Sequence, residues 1–446
     1  MNESIVYIVH CVDTEGPLFE SLDATFTRLH ELFGLDLDPD ADLLRRLQNQ
    51  EVDLGGVEAA VAKVVDPHLL AYNDSWEKID SMLDQIMSEE FRNKDPDSFG
   101  GGWVYNWHCL DHVGYDANPR RRDIGFGKVF SHYRDRLSKG PRGGDAIHFH
   151  HHPVAFSRAA NHSATHFFSP SSEIFEILAR HLIDREWFPC VNRPGFHAER
   201  PDSHWFLEQF IPFDIANNRA DAGDDKQSDV ATGRFGDWRR APKTWTPYHP
   251  DHDDYQIEGN CRRWIARSLN VGTRYNLLTE KDVEQAFKEA QKGKSTVLSI
   301  NNHDHRDMRP DIDYVRALLE VVAPRYTDVK FKYSEARKAM RDALCLEVGV
   351  PIKFTIEFER GTLRIDADRP TFGPQPFFAF KAKDGRYLHD NLAIQNPFLS
   401  WTYEFDEMSM PLERIETIGI GACDAVGNVT TVKIDPGSKE TTQAHI

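Results

Sequence analysis

Apolar runs and segments of helical apolar spacing alternate along most of the chain. Ile5 to Val12 is almost continuously apolar, which predicts a buried strand. Asp74-Ser75-Trp76-Glu77 resembles a capping box, and Ile79, Leu83, Ile86 and Met87 follow it at helical spacing. The same reading predicts strands at 103–107, 188–191, 296–300 and 329–333. It predicts helices from Ser172 (apolar face Ile174, Ile177, Leu178, Leu182), over 202–210, from the cap Thr279-Glu280-Lys281-Asp282, from Asp311, and over 334–344. Strands alternating with helices imply a parallel sheet, open or closed into a barrel. From about residue 345 the texture changes to short alternating strands with turn signals, expected at 352–358, 362–367, 377–381, 401–405, 415–422 and 429–434, with Glu359-Arg360-Gly361 as one of the turns. That region reads as a small β-sandwich. Two domains are therefore expected, 1–343 and 344–446, with polar insertions near 18–60 and 217–262.

Composition narrows the function. A formal net charge of −18 argues against nucleic acid or an anionic membrane as the main partner. Cysteines at 11, 109, 190, 261, 345 and 423 form no C-x-x-C pair, so zinc ribbons and thioredoxin-like sites are not expected, and reduced, packed thiols are. The first residues carry no basic segment or long apolar stretch, and no run is long enough to span a bilayer, so a soluble, cytoplasmic protein is expected. Gly419-Ile420-Gly421 lies among strands with no helix after it, which excludes a dinucleotide site.

Candidate chemistry collects at strand ends. Asp13 and Glu15 follow the first strand, and residues two apart in a strand share a face. In Asp145–Pro153 (D-A-I-H-F-H-H-H-P), His148 and His152 are four apart, so a helical turn after the strand would place both imidazoles on one metal ion. Arg193, in Asn192-Arg193-Pro194-Gly195, could pair with Asp13 and keep it ionised. His303, in Asn302-His303-Asp304-His305-Arg306-Asp307, could be a general acid, its pKa raised by a carboxylate such as Asp304 or Asp307. The segment Trp103-Val104-Tyr105-Asn106-Trp107-His108, followed by Asp111 and His112, suits either a sugar-stacking cleft or the core.

These positions together resemble the polysaccharide deacetylase (NodB-homology, carbohydrate esterase 4-like) family, in its divergent cytoplasmic O-antigen or capsule-locus form. His148, His152 and Pro153 match the family's H-x3-H-P motif; Asp13, Glu15, Arg193 and His303 are similar to its other motif residues. The first motif departs from the family in spreading its acid pair as D-x-E. The resemblance implies a distorted (β/α)7 barrel over roughly residues 1–340 and a divalent ion, zinc first, with cobalt, nickel or iron as alternatives. It implies Glu15, His148 and His152 as metal ligands, and Asp13, Arg193 and His303 as catalytic groups. The roles of Asp13 and Glu15 are exchangeable, and Asp214 is a candidate partner for the late histidine by position. The activity implied is removal of an N-acyl (acetyl or formyl) group from an amino sugar, carried as a nucleotide-sugar, on a lipid or at a polymer end. A metal-free glycoside hydrolase and a non-catalytic carbohydrate-binding protein are the alternatives.

Overall fold

The computed structural model describes residues 3–446 apart from 140–142, 161, 163–165, 167–172, 221–235, 295, 360 and 439. The expected helix start at Ser172, part of the expected 217–262 insertion and Arg360 of the expected turn lie outside the described residues.

Seven parallel strands close on themselves: β1 (Ser4–Thr14), β2 (Tyr105–Leu110), β3 (Ala146–His151), β4 (Val191–Pro194), β5 (Phe213–Asn217), β6 (Trp264–Asn270) and β7 (Thr296–His303). Closure falls on β1, whose His10–Thr14 half pairs with β2 while Val6–Asp13 pairs with β7. An eighth strand, β8 (Val329–Tyr333), lies parallel to the Ser4–Ile8 half of β1. One face of β1 packs Val6, Ile8 and Val12 against Ile79, Leu83 and Phe287 of the surrounding helices. The opposite face presents Val9, Cys11 and Asp13 to the interior, where Cys11 Sγ lies 3.5 Å from Ser299 Oγ. Strands covered on both faces need apolar residues at nearly every position, which is why β1 stood out in the sequence.

β5 and β6 did not stand out. Their segments F-D-I-A-N and W-I-A-R-S-L-N carry charges, and the fold buries those charges in pairs. Asp214 accepts from Arg263 at 2.6 Å and from Asn192 at 2.8 Å, and Arg267 meets Asp282 at 2.9 Å.

The C-terminal region forms two antiparallel sheets. Strands β9 (Phe354–Glu359), β10 (Thr362–Ala367), β13 (Ala393–Asn396) and β14 (Ser400–Glu404) make one, in the order β13-β14-β10-β9. Strands β11 (Phe377–Ala382), β12 (Tyr387–Asp390), β15 (Ile415–Cys423), β16 (Val429–Ile434) and β17 (Thr441–His445) make the other, in the order β12-β11-β15-β16-β17. Leu363, Ile365 and Trp401 of the first sheet share a core with Phe378, Phe380, Ile418 and Ile420 of the second. The outer face of the five-stranded sheet packs on the barrel helix Glu173–Arg185. The Gly419 and Gly421 pair is explained here: a Cβ on Gly419 would lie 2.8 Å from Ile183, and one on Gly421 2.8 Å from Phe188. Both glycines serve close packing. Among the described residues, no helix is long and apolar enough to cross a membrane.

Candidate active site at the barrel mouth

β1 ends at the C-terminal mouth of the barrel, where parallel α/β folds place their sites. Asp13 and Glu15 both line a cavity of about 720 Å³ there. Asp13 is gripped by Arg193 from β4, with Nε at 2.5 Å from Oδ1 and a second nitrogen at 3.1 Å from Oδ2. Burial alone would raise the Asp13 carboxyl, but Arg193, with His150 and His303, holds it well below the usual carboxylate range. Glu15 is held down in the same way, against burial, by Arg122 at 2.7 Å and by His152. Its backbone is pinned as well. Asp304 accepts from the amides of Glu15 at 2.9 Å and Gly16 at 3.0 Å, and His112 meets the Glu15 carbonyl at 2.8 Å.

Glu15, His150 and His152 are the buried cluster that could hold a metal ion. Nε2 of His152 lies 3.1 Å from Nε2 of His150 and 3.4 Å from Glu15 Oε1. Nδ1 of His150 donates to the Arg193 carbonyl at 2.6 Å, because a carbonyl only accepts. Burial lowers His150 to about 4, so at neutral pH its other nitrogen presents a lone pair. A hydrogen bond on the far nitrogen is the arrangement that fixes the tautomer of metal-ligating histidines.

The expected ligand pair therefore changes. No helical turn follows residue 148, because β3 continues through His151. In a strand His148, His150 and His152 share a face, but at a rise of about 3.3 Å per residue only His150, two positions away, and not His148, four away, is brought to His152 and Glu15. His148 is one pleat deeper, with Nε2 at 3.1 Å from Glu335 and 3.2 Å from the Asn106 side chain. His151 is buried on the other face of β3, beside Phe149.

His303, at the end of β7, points its Nε2 toward Asp13 (3.7 Å) and Glu15 (3.9 Å). Its pKa departs from expectation. Burial pulls it down to about 4, outweighing Asp13 and Glu15, so the imidazole rests neutral. Neither acid named beside it supplies a charge. Asp304 faces the Glu15 and Gly16 amides, and Asp307 is paired with Arg309. Asp214 is likewise committed to Arg263.

Some of the site left no mark in the sequence pattern. A Cβ on Gly195 would lie 1.9 Å from Cδ2 of His152, so the R-P-G segment is a close approach to a cluster residue. The next residues, Phe196 and His197, have φ of 53° and 51°, a left-handed conformation that costs non-glycine residues energy and recurs at functional sites. Phe196 packs edge-on against His152 with ring centroids 5.0 Å apart. His197 meets Asn270 Oδ1 at 3.1 Å. By contrast, Trp103, Tyr105 and Trp107 are wholly core, which decides between the two readings of that aromatic segment.

Fold and site together define a closed parallel barrel with a Glu/His/His cluster and an arginine-held aspartate at its mouth. Comparisons of the chain with protein-family models, with curated proteins and with solved structures give no match.

Proposed function

We propose that this protein is a metal-dependent hydrolase of the polysaccharide deacetylase type, removing an acetyl or formyl group from the nitrogen of an amino sugar in surface-polysaccharide synthesis. The observation that carries the reading is the convergence of Asp13, Glu15, His152 and His303 on one cavity, with His150 buried against Glu15 and His152. The ligand pair differs from the one the H-x3-H resemblance implies, so the reading rests on this cluster rather than on that motif. Two imidazoles and a carboxylate suit zinc with an open coordination position, and cobalt, nickel and iron accept the same donors.

When bound, such an ion polarises the amide carbonyl and acidifies a water. The chain supplies the rest. Asp13, kept ionised by Arg193, orients the attacking water through a carboxylate oxygen. His303 begins the cycle neutral, so the proton that its Nε2 delivers to the leaving nitrogen is one that the water has given up. Asp13, 3.7 Å away, favours the imidazolium while it exists. A retaining or inverting glycosidase needs one protonated carboxylic acid facing the substrate, and Asp13 and Glu15 are both held ionised.

The test is metal analysis of untagged protein purified without a nickel column, joined to an assay for acetate or formate release from N-acylated amino sugars. The expected result is about one ion per chain and release that stops with chelator and returns with metal. His303→Ala should lower kcat by roughly 10²–10⁴-fold with metal content unchanged. Protein without bound metal, or release indifferent to chelator, would overturn the proposal.

A further inference from the structure

The cavity beside the cluster is lined by five arginines, Arg28, Arg120, Arg122, Arg274 and Arg306, against three acids, Asp13, Glu15 and Glu31, in a chain whose formal net charge is −18. Their partners do not balance them. Arg122 is committed to Glu15 at 2.7 Å. Arg28 and Arg120 share a single carboxylate, with Arg28 at 2.7 Å from one Glu20 oxygen and Arg120 at 2.8 Å from the other. Arg306 has no carboxylate within ion-pairing distance among the described residues. Its contacts are the Leu69 carbonyl at 3.5 Å and the Tyr72 ring, 5.9 Å away. Burial lowers the Arg306 pKa; Tyr72 and the more distant Asp311 and Glu15 oppose that fall, and Arg28 adds to it.

Partly buried guanidinium groups that outnumber their counterions are costly unless something anionic joins them. Arginine is also the side chain whose planar fork matches carboxylate and phosphate oxygens. Arg28 is supplied by the helix Leu22–Phe33, and Leu69 and Tyr72 also precede β2. The insertion after β1 therefore builds one wall of the cavity, and Arg306, just past β7, packs against that wall at Leu69 and Tyr72.

We infer that the cavity binds an oxyanion, a carboxylate or phosphate carried by the substrate, on Arg306 together with the Arg28 and Arg120 pair. The substrate of the proposed reaction is then an acidic or phosphorylated amino sugar rather than a neutral one. The reaction rests on the hydrolase reading; the anion site does not.

The test is calorimetric titration of the full chain, stripped of metal with chelator, using inorganic phosphate, glucuronate and N-acetylglucosamine as probes. Stripping the metal separates this proposal from the hydrolase reading, since binding through an ion is removed. At least one anion should bind about ten-fold or more tightly than the neutral sugar, and weaken as salt is raised. Phosphate above glucuronate indicates a phosphorylated substrate, and the reverse order an acidic sugar. Arg306→Gln and Arg28→Gln should each weaken the anion about ten-fold or more, the worth of one charge-assisted hydrogen bond, while Arg364→Gln in the C-terminal sheet leaves it unchanged. Anions binding no better than N-acetylglucosamine would overturn the inference even without variants. So would a folded Arg306→Gln protein that binds them as the wild type does.

Discussion

Gly195 and His152 leave no room for a side chain between them, a Cβ on the glycine falling 1.9 Å from the imidazole Cδ2. A methyl group there must displace the ring or the backbone. Gly195→Ala should therefore lower metal affinity by about ten-fold or more, as loss of a group that orients a ligand does. Metal titration with a competing chelator, alongside circular dichroism to confirm folding, measures it. A folded variant with unchanged affinity would show that His152 is not needed where it stands.

His150 and His148 should part company when truncated. His150→Ala removes a member of the cluster and should weaken metal binding by more than about 100-fold, beyond the loss seen for outer-shell partners. His148→Ala should keep the metal and lose stability instead, by roughly 1–3 kcal/mol, because Glu335 loses its side-chain partner and keeps only the Arg337 and Lys338 amides. Metal content and urea unfolding of the two variants decide the matter. The opposite pattern would restore the four-residue spacing as the ligand pair.

Arg193 holds Asp13 through two hydrogen bonds and is almost wholly buried itself. Arg193→Gln leaves an uncompensated anion and should cost roughly 3–5 kcal/mol. It also frees the Asp13 carboxyl to rise, burial being the opposing influence. Denaturant titration checks the first effect. An infrared titration comparing Arg193→Gln with the Arg193→Gln, Asp13→Asn double variant checks the second.

Glu335 gives a pH signature outside the cluster. Burial would raise its pKa, but His148 and the first amides of the following helix hold it at about 2, against an ordinary value of 4.5. A depressed carboxyl contributes stability above its unfolded pKa, and that contribution is lost as pH falls from about 4.5 through about 2. The span corresponds to roughly 3 kcal/mol at most. The stability difference between wild type and Glu335→Gln should shrink across this range. A difference that stays constant with acidification would show that the carboxylate charge is not what His148 recognises.

Legibility varied along the chain for physical reasons. Val329–Tyr333, Thr362–Ala367 and Val429–Ile434 were readable to the residue, because burial or strict alternation left no other pattern available. The edge strands β12, β13 and β17 are short and partly exposed, and gave no such signal. β4 begins at Val191, where the apolar run was expected to end, since Phe188 belongs to the interface with the C-terminal sheets. At the site, Asp13, Glu15, Arg193 and His303 were visible as polar residues just beyond apolar runs. The cavity arginines were not, because Arg28 and Arg306 are 278 positions apart in the chain and acquire meaning only through each other.

Local pattern alone therefore determined much of the succession of strands and helices, though not β5, β6 or the short edge strands, together with the change to β structure near residue 345 and the polar strand ends where chemistry gathers. These follow from side-chain periodicity, which each segment carries within itself. Tertiary structure decided which histidine joins His152, that His303 rests neutral, and that Gly195 must be small. Ligand geometry, desolvation and close approach depend on atoms supplied by distant strands, and no local run of residues encodes those.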